Sequence, residues 1–386
     1  MNVEMTVMTK PAKAIIHIVD YPQANPWIEN QMMYFLRHGI HQGIVSIDSD
    51  GELLENLKYK EIGEIYKCQF SLVGVLAVGR KLRRRRQERA LILFAHGHKP
   101  SIMAFVLNKI FRIEYVIAHH HPPNWIDLFQ KRQIIRGKLH QVLRDSYYKN
   151  ALAIQAFSFE VEDYLARNPH FNAKVLRIPL GVEFKSYSNR TSVGKERQEF
   201  KKVPKILTVS RLVWEKRIQL GLEIAAKLSK FNFNFEYTIV GEGPLEQELV
   251  ELKDSLGLQD RVYFKGWVDD IEKYYRDSDL LLHLSVTESF GQVLVEARLH
   301  GLNVLTSPCG IAIDLAKVPD KGFCILSSLE PEYVAAEIIR TLESNSIHHL
   351  EKEIRELYRD QEFYLVQEKL RMSFLELFQN LNSNLT

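Results

Sequence analysis

The chain has 386 residues, of which 46% are hydrophobic and 26% are charged, and its formal net charge is +3. This length is long for one hydrophobic core and sufficient for two, and the composition excludes disorder as the main state. Cys68, Cys309 and Cys324 match no metal-binding or disulfide spacing, which favours a reducing compartment. No stretch approaches the roughly 20 apolar residues of a membrane-spanning helix, and we interpret the N-terminus as a tail leading into a first strand, not as a signal peptide.

Short apolar runs alternate with longer segments of helical period along nearly the whole chain. In the first half the predicted strands are 14–19, 43–47, 91–95, 115–119, 153–157 and 175–178. In the second half they are 205–210, 235–240, 262–265, 280–284, 303–306 and 323–326, with helices such as 217–230 and 244–256 between them. This alternation predicts an α/β fold of parallel, doubly wound sheets covered by helices on both faces.

A polar and charged stretch at 183–203 interrupts this pattern, as a connection between domains does. We therefore predict an N-terminal domain at 1–184, a linker at 185–202 and a C-terminal domain at 203–360. The last segment, 361–386, is predicted to be a helix that packs back on the N-terminal domain, because it is rich in aromatic residues. Ligands of such sheets bind at the carboxyl ends of the strands, so the residues after each strand are the candidates for function.

Two cations, Arg211 and Lys216, follow the strand at 205–210. A loop at this strand end can turn both side chains toward one point, where they would hold a diphosphate and offset charge on a leaving group. Arginine suits bidentate contact with phosphate oxygens, whereas lysine acts as a point charge. The alternative is a solvated arginine and lysine at the start of a helix.

Two glycines, Gly241 and Gly243, follow the strand at 235–240, and Pro244 suits a first helical turn. The dinucleotide fingerprint would require a third glycine where this chain has Glu246, so a nicotinamide site is disfavoured. A plain strand-to-helix turn is an equally good interpretation of these residues.

The segment after the strand at 280–284 is the richest in candidate residues. A helix is predicted to begin near Gln292, so the free N–H groups of Gly291, Gln292 and Val293 would point at an anion. Glu288 lies before this helix start and Glu296 about one turn after it. Two carboxylates beside an anion site fit a phosphate flanked by two sugars, because carboxylates accept hydrogen bonds from hydroxyl pairs. The alternative is two surface glutamates.

The run Glu288-SFGQVLV-Glu296 has the E-x7-E spacing of the retaining glycosyltransferases of the GT-B fold, specifically the group-1 family, family four in the usual classification. Four further segments resemble that family in the same order: IPLGVEF at 178–184, SRLVWEK at 210–216, VGEGPLEQEL at 240–249 and the run at 262–285. The resemblance is strong over about 175–330 and looser in the first half. It implies two Rossmann-like domains that face each other across a cleft.

The resemblance also implies roles. Arg211 and Lys216 would neutralise the diphosphate, Glu296 would bind the ribose, and Glu288 would bind hydroxyls of the transferred sugar and join the two cations in catalysis. The full donor set is expected to be Arg211, Lys216, Gly241, Gly243, Gly266, Glu288, Ser289, Phe290, Gly291, Gln292, Val293 and Glu296. The loop after Gly266 would meet the base. The family retains anomeric configuration, usually without a metal, so we expect neither a metal nor a cofactor.

The chain departs from the family pattern in three places. Arg217 follows Lys216 where the family often has glycine. The glycine pair after the first strand is replaced by a turn with Asn25 and Pro26, which leaves Asn25 as an acceptor-side candidate. The Gly-Gly-x-x-Glu sequence becomes Gly310 to Asp314, with a shorter acidic side chain at its end.

Histidines are dense after two strands of the first half: His96 and His98, then His119 to His121. A zinc site is disfavoured because no carboxylate lies at a suitable spacing. The resemblance places His120 at a strand end facing the transferred sugar, as a catalytic residue, and His96 on the acceptor side. Capping of polar turns is the interpretation that we favour for His98, His119 and His121.

The segment 70–89 is predicted to be one helix, apolar first and then heavily basic at Arg80–Arg89. Such a helix suits an anionic membrane surface. It also suits nucleic acid electrostatically, but no recognised motif accompanies it, and we expect no nucleic-acid partner. A solvated helix face is the remaining alternative.

We therefore predict a retaining glycosyltransferase that moves a sugar, a hexose or a related one, from a UDP- or GDP-linked donor to a glycan or lipid-linked acceptor. Cell-envelope or exopolysaccharide synthesis in the cytoplasm, peripheral to the inner face of the membrane, is the expected setting. The alternatives are a sugar-nucleotide epimerase or hydrolase on the same scaffold, and a non-catalytic subunit that binds a glycan or a nucleotide. A nucleic-acid-binding protein built around the arginine run is a third.

Overall fold

The computed structural model describes residues 13–20, 26–47, 63–86, 90–119, 134–168, 171, 173–182, 203–343 and 351–383. The chain divides into two compact units. The first unit comprises the described residues of Met1–Ala156, Glu162–Ile178 and Gln367–Thr386, and the second comprises those of Phe157–Val161 and Pro179–Val366. The predicted linker at 185–202 lies outside the described residues.

The first unit is built on a parallel sheet. Its described strands are β1 (Lys13–Val19), β2 (His41–Ile47), β3 (Gly63–Cys68), β4 (Ala90–His96), β5 (Glu114–Ala118), β6 (Ala153–Ala156) and β7 (Lys174–Arg177). They lie in the order β3-β2-β1-β4-β5-β6-β7, so the winding reverses between β1 and β4. Strand β1 reads KAIIHIV and is buried after its first residue, as a strand covered on both faces requires.

The helices up to residue 182 are α1 (Pro26–Arg37), α2 (Leu72–Arg86), α3 (His98–Phe111), α4 (Ile134–Asn150) and α5 (Phe159–Ala166). Helix α2 packs closely on α3 because Gly79 lies against the ring of Phe111, which leaves no room for a Cβ atom. The predicted basic helix at 70–89 is present in the first unit over Leu72–Arg86, and residues 87–89 lie outside the described residues.

Strand β3 was not predicted. It pairs only with β2 within the described sheet, at the edge, and its sequence GEIYKC alternates charged and apolar residues. Edge strands carry charge that discourages further pairing, and this lowers the apolar signal that identified the other strands.

The second unit contains another parallel sheet. Its described strands are β8 (Lys205–Val209), β9 (Glu236–Val240), β10 (Val262–Phe264), β11 (Leu280–His283), β12 (Asn303–Thr306) and β13 (Phe323–Ile325). Their order is β10-β9-β8-β11-β12-β13, so the winding reverses between β8 and β11. Both sheets thus confirm the predicted α/β, doubly wound class.

The described helices from residue 203 onward are α6 (Ile218–Lys230), α7 (Glu246–Ser255), α8 (Ile271–Asp277), α9 (Gln292–Leu299), α10 (Ala312–Leu315), α11 (Pro331–Glu343), α12 (Glu351–Leu357) and α13 (Phe363–Ser383), with 3-10 turns at Trp214–Lys216 and Arg359–Gln361. The prediction that Pro244 opens a helix is wrong, because α7 begins at Glu246 and Pro244 lies in the preceding turn.

Helix α13 packs back on the first unit from Gln367 onward, as predicted. Phe374 lies edge-on to Phe35 and Phe94, with ring centroids 5.9 Å and 5.1 Å apart. The Gln31 amide donates to Gln367 Oε1 at 3.0 Å. Apolar contact and a buried hydrogen bond together hold this helix to the sheet.

A buried ion pair fixes the end of α9. Arg298 donates from Nε and Nη2 to the two carboxylate oxygens of Asp320 at 2.6 and 2.8 Å. Tyr358 and the Gly322 N–H also donate to Asp320, at 2.8 and 2.9 Å. Burial opposes the charge on Asp320, but these donors outweigh it and lower the pKa of the carboxyl. Helix α9, β13 and the segment after α12 are thereby joined.

Replacing Asp320 with Asn should lower the free energy of unfolding by about 3 kcal/mol or more, because a buried guanidinium would lose its counter-charge. Urea titration followed by circular dichroism measures this change. The control is Asp163→Asn, which removes the partner of Arg167, a cation that is 78% exposed, and it should change stability little. Equal effects of the two substitutions would contradict the role assigned to the buried pair.

Candidate functional site

The candidate site lies where β8 and β11 run side by side, at the reversal of winding in the second sheet. Ile206 pairs with Leu280, and Leu207 with Leu281, so both strands end at the same edge. Parallel sheets of this kind bind ligands at that position. The loop after β8 contains the 3-10 turn Trp214–Lys216, and the loop after β11 contains Glu288. A hydrogen bond from Val286 N to Glu215 O, 2.8 Å long, joins the two loops.

Three donors converge on one oxygen of Glu288. Lys216 Nζ donates to Oε1, Ser285 Oγ donates to it at 3.0 Å, and His283 Nε2 lies 3.0 Å from it. The side chains of Lys216 and Glu288 are 12% and 15% exposed, and that of His283 is 4% exposed. The structure thus brings the predicted residues Lys216 and Glu288 together as an ion pair that is largely buried.

The charge of Glu288 survives burial because of these donors. Burial alone would raise the pKa of the carboxyl, but the hydrogen bond from His283 and the charge of Lys216 lower it to about 2. An ionised carboxylate only accepts hydrogen bonds, so His283 must donate through Nε2–H. Its Nδ1 lies 3.1 Å from Thr306 Oγ1, at the end of β12.

The second oxygen of Glu288, Oε2, makes no hydrogen bond with the part of the chain that the structure describes. The three donors therefore fix the orientation of the carboxylate through one oxygen and leave the other available. An ionised oxygen held in this way can accept hydrogen bonds from a hydroxyl group of a ligand.

Arg211 is placed differently from Lys216. Its side chain is 74% exposed, and its Nη2 lies 3.7 Å from Glu215 Oε1. Among the described residues it makes no ion pair or hydrogen bond with the Lys216–Glu288 pair. Arg217, the residue that departs from the family pattern, adopts φ +51° between the 3-10 turn and α6, a left-handed conformation in which glycine would cost less.

The glycine turn after β9 packs directly against the loop after β8. A Cβ at Gly241 would strike the carbonyl oxygen of Ser210, and one at Gly243 would lie 2.5 Å from Leu212 O. Gly241 N also donates to Gly266 O at 2.8 Å, which brings the Gly266 loop to the same edge. Close backbone approach therefore requires both glycines of the turn.

Helix α9 begins at Gln292, as predicted, after Gly291 in a left-handed conformation with φ +92°. No side chain caps this helix start, all of which lies in the described residues. Uncapped N–H groups at a helix start favour an anion. Glu296, one turn later, accepts from Tyr275 OH at 2.8 Å and from Gln292 Nε2 at 2.7 Å, so its carboxylate is held in place on the helix.

A short segment from far earlier in the chain, Phe157–Val161, packs on the same loops. Glu160 accepts from Gly310 N at 2.5 Å, and Asp314 accepts from Phe159 N at 2.9 Å. Ser158 Oγ donates to the carbonyl of Ser289 at 3.2 Å. Burial, with the charge of Glu288 adding to it, raises the pKa of Glu160, whereas the Gly310 N–H opposes the rise.

Sequence reasoning missed His283, Ser285 and Glu160. The polar residues in the run LLLHLS, at the end of a buried strand, are a signal that could have identified the first two. No local signal marks Glu160, because its partner Gly310 is distant along the chain. Gly310 itself has no room for a Cβ, which would lie 2.7 Å from Glu288 Cβ.

Of the two first-unit histidines that were predicted for the site, His96 and His120, only His96 lies within the described residues. His96 is fully buried, and its Nε2 lies 2.9 Å from His17 Nδ1. The other nitrogen of His17, Nε2, lies 2.9 Å from the side-chain oxygen Oε1 of Gln42, and burial lowers the pKa of His17 to about 4. His120 and Asn25 fall outside the described residues, so their predicted roles stay predictions.

Two further histidines that the sequence singled out, His98 and His119, contact aromatic residues. His98 Nδ1 lies 3.0 Å from Tyr147 OH, and the buried His119 packs against the rings of Tyr148 and Tyr164. Within the described ranges, no group of three or more His, Cys, Asp or Glu side chains is arranged to hold a metal ion. In the same residues, none of the helices combines the length and apolar character that crossing a bilayer requires.

Comparison with known proteins gives one family. The family "Glycosyl transferases group 1" matches residues 190–362. Among curated proteins, the gpi3 subunit of phosphatidylinositol N-acetylglucosaminyltransferase of Schizosaccharomyces pombe is 34% identical over 27% of this chain and 24% of its own length. A phosphatidylinositol N-acetylglucosaminyltransferase chain of Arabidopsis thaliana is 24% identical over 74% of this chain and 62% of its own length. The chain thus spans less than two thirds of either relative.

Solved structures show the fold over nearly the whole chain. A sucrose-phosphate synthase of Thermosynechococcus elongatus superposes with a TM-score of 0.79 and 16% identity, over 95% of this chain and 100% of that chain. HepE of Anabaena, solved in complex with UDP and glucose, superposes with a TM-score of 0.72 and 17% identity, over 94% of this chain and 100% of that chain. These likenesses confirm the GT-B class. Residues 190–362 thus match the glycosyl transferases group 1 family, the family that the sequence motifs resemble.

Proposed function

We propose that the protein is a retaining glycosyltransferase that moves a sugar from a UDP- or GDP-linked donor to a glycan or lipid-linked acceptor. The observation that supports this most directly is the fixed carboxylate of Glu288, with one oxygen held by three donors and the other available. A neutral, hydroxyl-rich group suits such an oxygen, and a phosphate does not, because two anions would repel each other.

The donor's diphosphate would lie beside Lys216 and the start of α9. The ammonium group of Lys216 and the uncapped N–H groups at Gln292 supply fixed positive charge within one edge of the sheet. Arg211, which is largely exposed, can add to this charge only by turning its side chain toward the bound donor. Charge that develops on the leaving diphosphate would be offset by these groups without a metal or another cofactor.

The ribose would lie beside Glu296, whose carboxylate Tyr275 and Gln292 hold on α9. The Gly266 loop, joined to Gly241 by a hydrogen bond, would contact the base. The names of the Schizosaccharomyces pombe and Arabidopsis thaliana relatives both contain N-acetylglucosaminyltransferase, and HepE was solved with UDP. These names support a UDP-linked hexose or hexosamine as the first donor to test.

Cell-envelope or exopolysaccharide synthesis at the inner face of the membrane belongs to the same proposal. None of Cys68, Cys309 and Cys324 forms a disulfide, which fits a cytoplasmic, reducing compartment. Bacterial relatives include the protein CapJ of Staphylococcus aureus and EpsF of Bacillus subtilis, whose names define no substrate.

A thermal-shift screen of the full chain against UDP, GDP, ADP and their sugars tests the donor. A matching nucleotide should raise the melting temperature, since a ligand that binds only the native state stabilises it. Product analysis with and without an acceptor then separates a transferase from an epimerase or hydrolase. A new sugar nucleotide, or free sugar formed at the same rate with and without acceptor, would contradict the proposal.

Replacing Lys216 with Ala should lower kcat/KM for transfer by about two to three orders of magnitude, because a charge that stabilises the leaving group is lost. The control is Lys230→Ala, an exposed lysine at the end of α6, which should retain activity. Near-normal turnover of the Lys216 variant would remove this residue from the site.

Replacing Glu288 with Gln should lower sugar transfer about a hundredfold, whereas the affinity for the free nucleotide should change little. The reason is that the carboxylate is proposed to contact the sugar and not the nucleotide. Isothermal titration calorimetry with the nucleotide, beside initial rates with the sugar nucleotide, compares the two effects. Equal losses in both measurements would show that the assigned role is wrong.

His283 should control the pH dependence of the reaction through Glu288. With a pKa of about 2, Glu288 stays ionised in the wild type and gives no acid limb above about pH 5. His283→Ala removes a donor, so the pKa of Glu288 rises and kcat/KM should begin to fall at a higher pH. The profile of the control His38→Ala, an exposed histidine, should match the wild type. Identical profiles for all three proteins would contradict this role.

A further inference from the structure

Helix α2 exposes one face that its own unit does not cover. Leu72 and Val73 in its first turn are 67% and 79% exposed, and Phe70 just before it is 39% exposed. Arg80, Lys81, Arg83 and Arg84 in its last turns are also exposed. We call this set of seven residues the α2 face. It is apolar at one end and basic at the other.

Five residues of the α2 face, Leu72, Val73, Arg80, Arg83 and Arg84, lie on one side of the helix. Lys81 lies at the margin, about 80° from the direction of Val73 and about 180° from that of Leu72. At about 100° per residue, Arg80 and Arg84 lie within about 20° of the direction of Val73, and Arg83 lies within about 20° of that of Leu72. The face extends for about 18 Å from Leu72 to Arg84, at about 1.5 Å per residue. Leu72, Val73 and three of the four cations therefore point toward the same external surface.

The opposite side of α2 anchors it to the fold. Val75, Val78 and Leu82 are buried, and Gly79 lies against the Phe111 ring. Leu72 and Val73 therefore do not belong to the side of the helix that packs on the core. Their exposure is a property of the folded unit.

The cations of the α2 face have no counter-charges in the part of the chain that the structure describes. The next two arginines differ from them, because Arg85 pairs with Glu64 at 2.7 Å and Arg86 donates to Phe111 O at 3.3 Å. Arg80, Lys81, Arg83 and Arg84 make no ion pair with any described carboxylate. Four uncompensated cations within two turns create a strongly positive patch.

We propose that the α2 face docks on an anionic lipid bilayer, with Leu72 and Val73 inserted at the headgroup boundary and the four cations on the lipid phosphates. A buried acyl region accommodates the aliphatic side chains, which nucleic acid does not. Each basic residue near an anionic surface strengthens binding about fivefold, so the four cations together supply most of the affinity. This surface is distinct from the candidate site and does not rest on the proposed activity.

Co-sedimentation of the full chain with vesicles tests the docking. The wild type should bind vesicles that contain phosphatidylglycerol, bind vesicles of phosphatidylcholine alone far less, and be released by added salt. Replacing Arg80, Lys81, Arg83 and Arg84 with Gln should weaken binding about a hundredfold or more. Gln preserves the helix propensity of these positions, so the fold should be kept, and circular dichroism checks it.

The matched control replaces four exposed lysines elsewhere, Lys149, Lys230, Lys273 and Lys321, with Gln. This variant has the same net charge as the first but retains the α2 face, so it should bind like the wild type. Equal loss in both variants would show a general charge effect and overturn the proposal.

The apolar end is tested separately. Replacing Leu72 and Val73 with Gln should weaken binding to the phosphatidylglycerol vesicles about tenfold while the salt dependence persists, because aliphatic insertion is lost and the cations remain. Unchanged binding would overturn the insertion of these residues. Binding of the wild type to a DNA duplex or to an acidic protein, but not to vesicles, would overturn the lipid partner altogether.

Discussion

The ionised carboxylate of Glu288 is the constraint on which the arrangement of the second unit depends. A charge that is largely withdrawn from water is tolerated only when donors replace the water. Here the donors come from the 3-10 turn after β8, from the end of β11 and from the loop that follows it. They can meet only because β8 and β11 are neighbours at the reversal of winding. The strand order of the sheet is thus a condition for keeping Glu288 ionised.

Backbone packing supplies the precision that side chains alone could not. Gly310 has no space for a Cβ between Phe290 O and Glu288 Cβ, so the turn that contains it presses against the carboxylate. Glu160 then accepts from the Gly310 N–H and fixes the other side of that turn. On the far side of the site, Gly241 lies as closely against Ser210. Loops held this tightly keep Lys216 and Glu288 in place before any ligand binds, which lowers the cost of ordering them.

Strand periodicity was sufficient to predict both sheets except the edge strand β3. The family motif named Lys216 and Glu288 but did not predict that the two side chains pair with each other. The same motif assigned Arg211 to the donor site together with Lys216, but the structure turns the Arg211 side chain outward toward Glu215. Spacing along the chain predicts the position of a residue's Cα atom but not the direction in which a long, flexible side chain points. Glu160 and the edge strand β3 were missed for different reasons. The first depends on a contact between distant segments, and the second has the charged, weakly apolar pattern of an edge.

Charge is handled in opposite ways in the two units. In the second unit two buried ion pairs, Lys216–Glu288 and Arg298–Asp320, are neutralised inside the protein. In α2 the exposed cations stand three and four residues apart, as Arg80 does from Arg83 and Arg84, and like charges at these spacings destabilise a helix. Internal packing of Val75, Val78 and Leu82 offsets that repulsion. The proposed docking on an anionic bilayer would relieve this repulsion, so docking and the stability of α2 would reinforce each other.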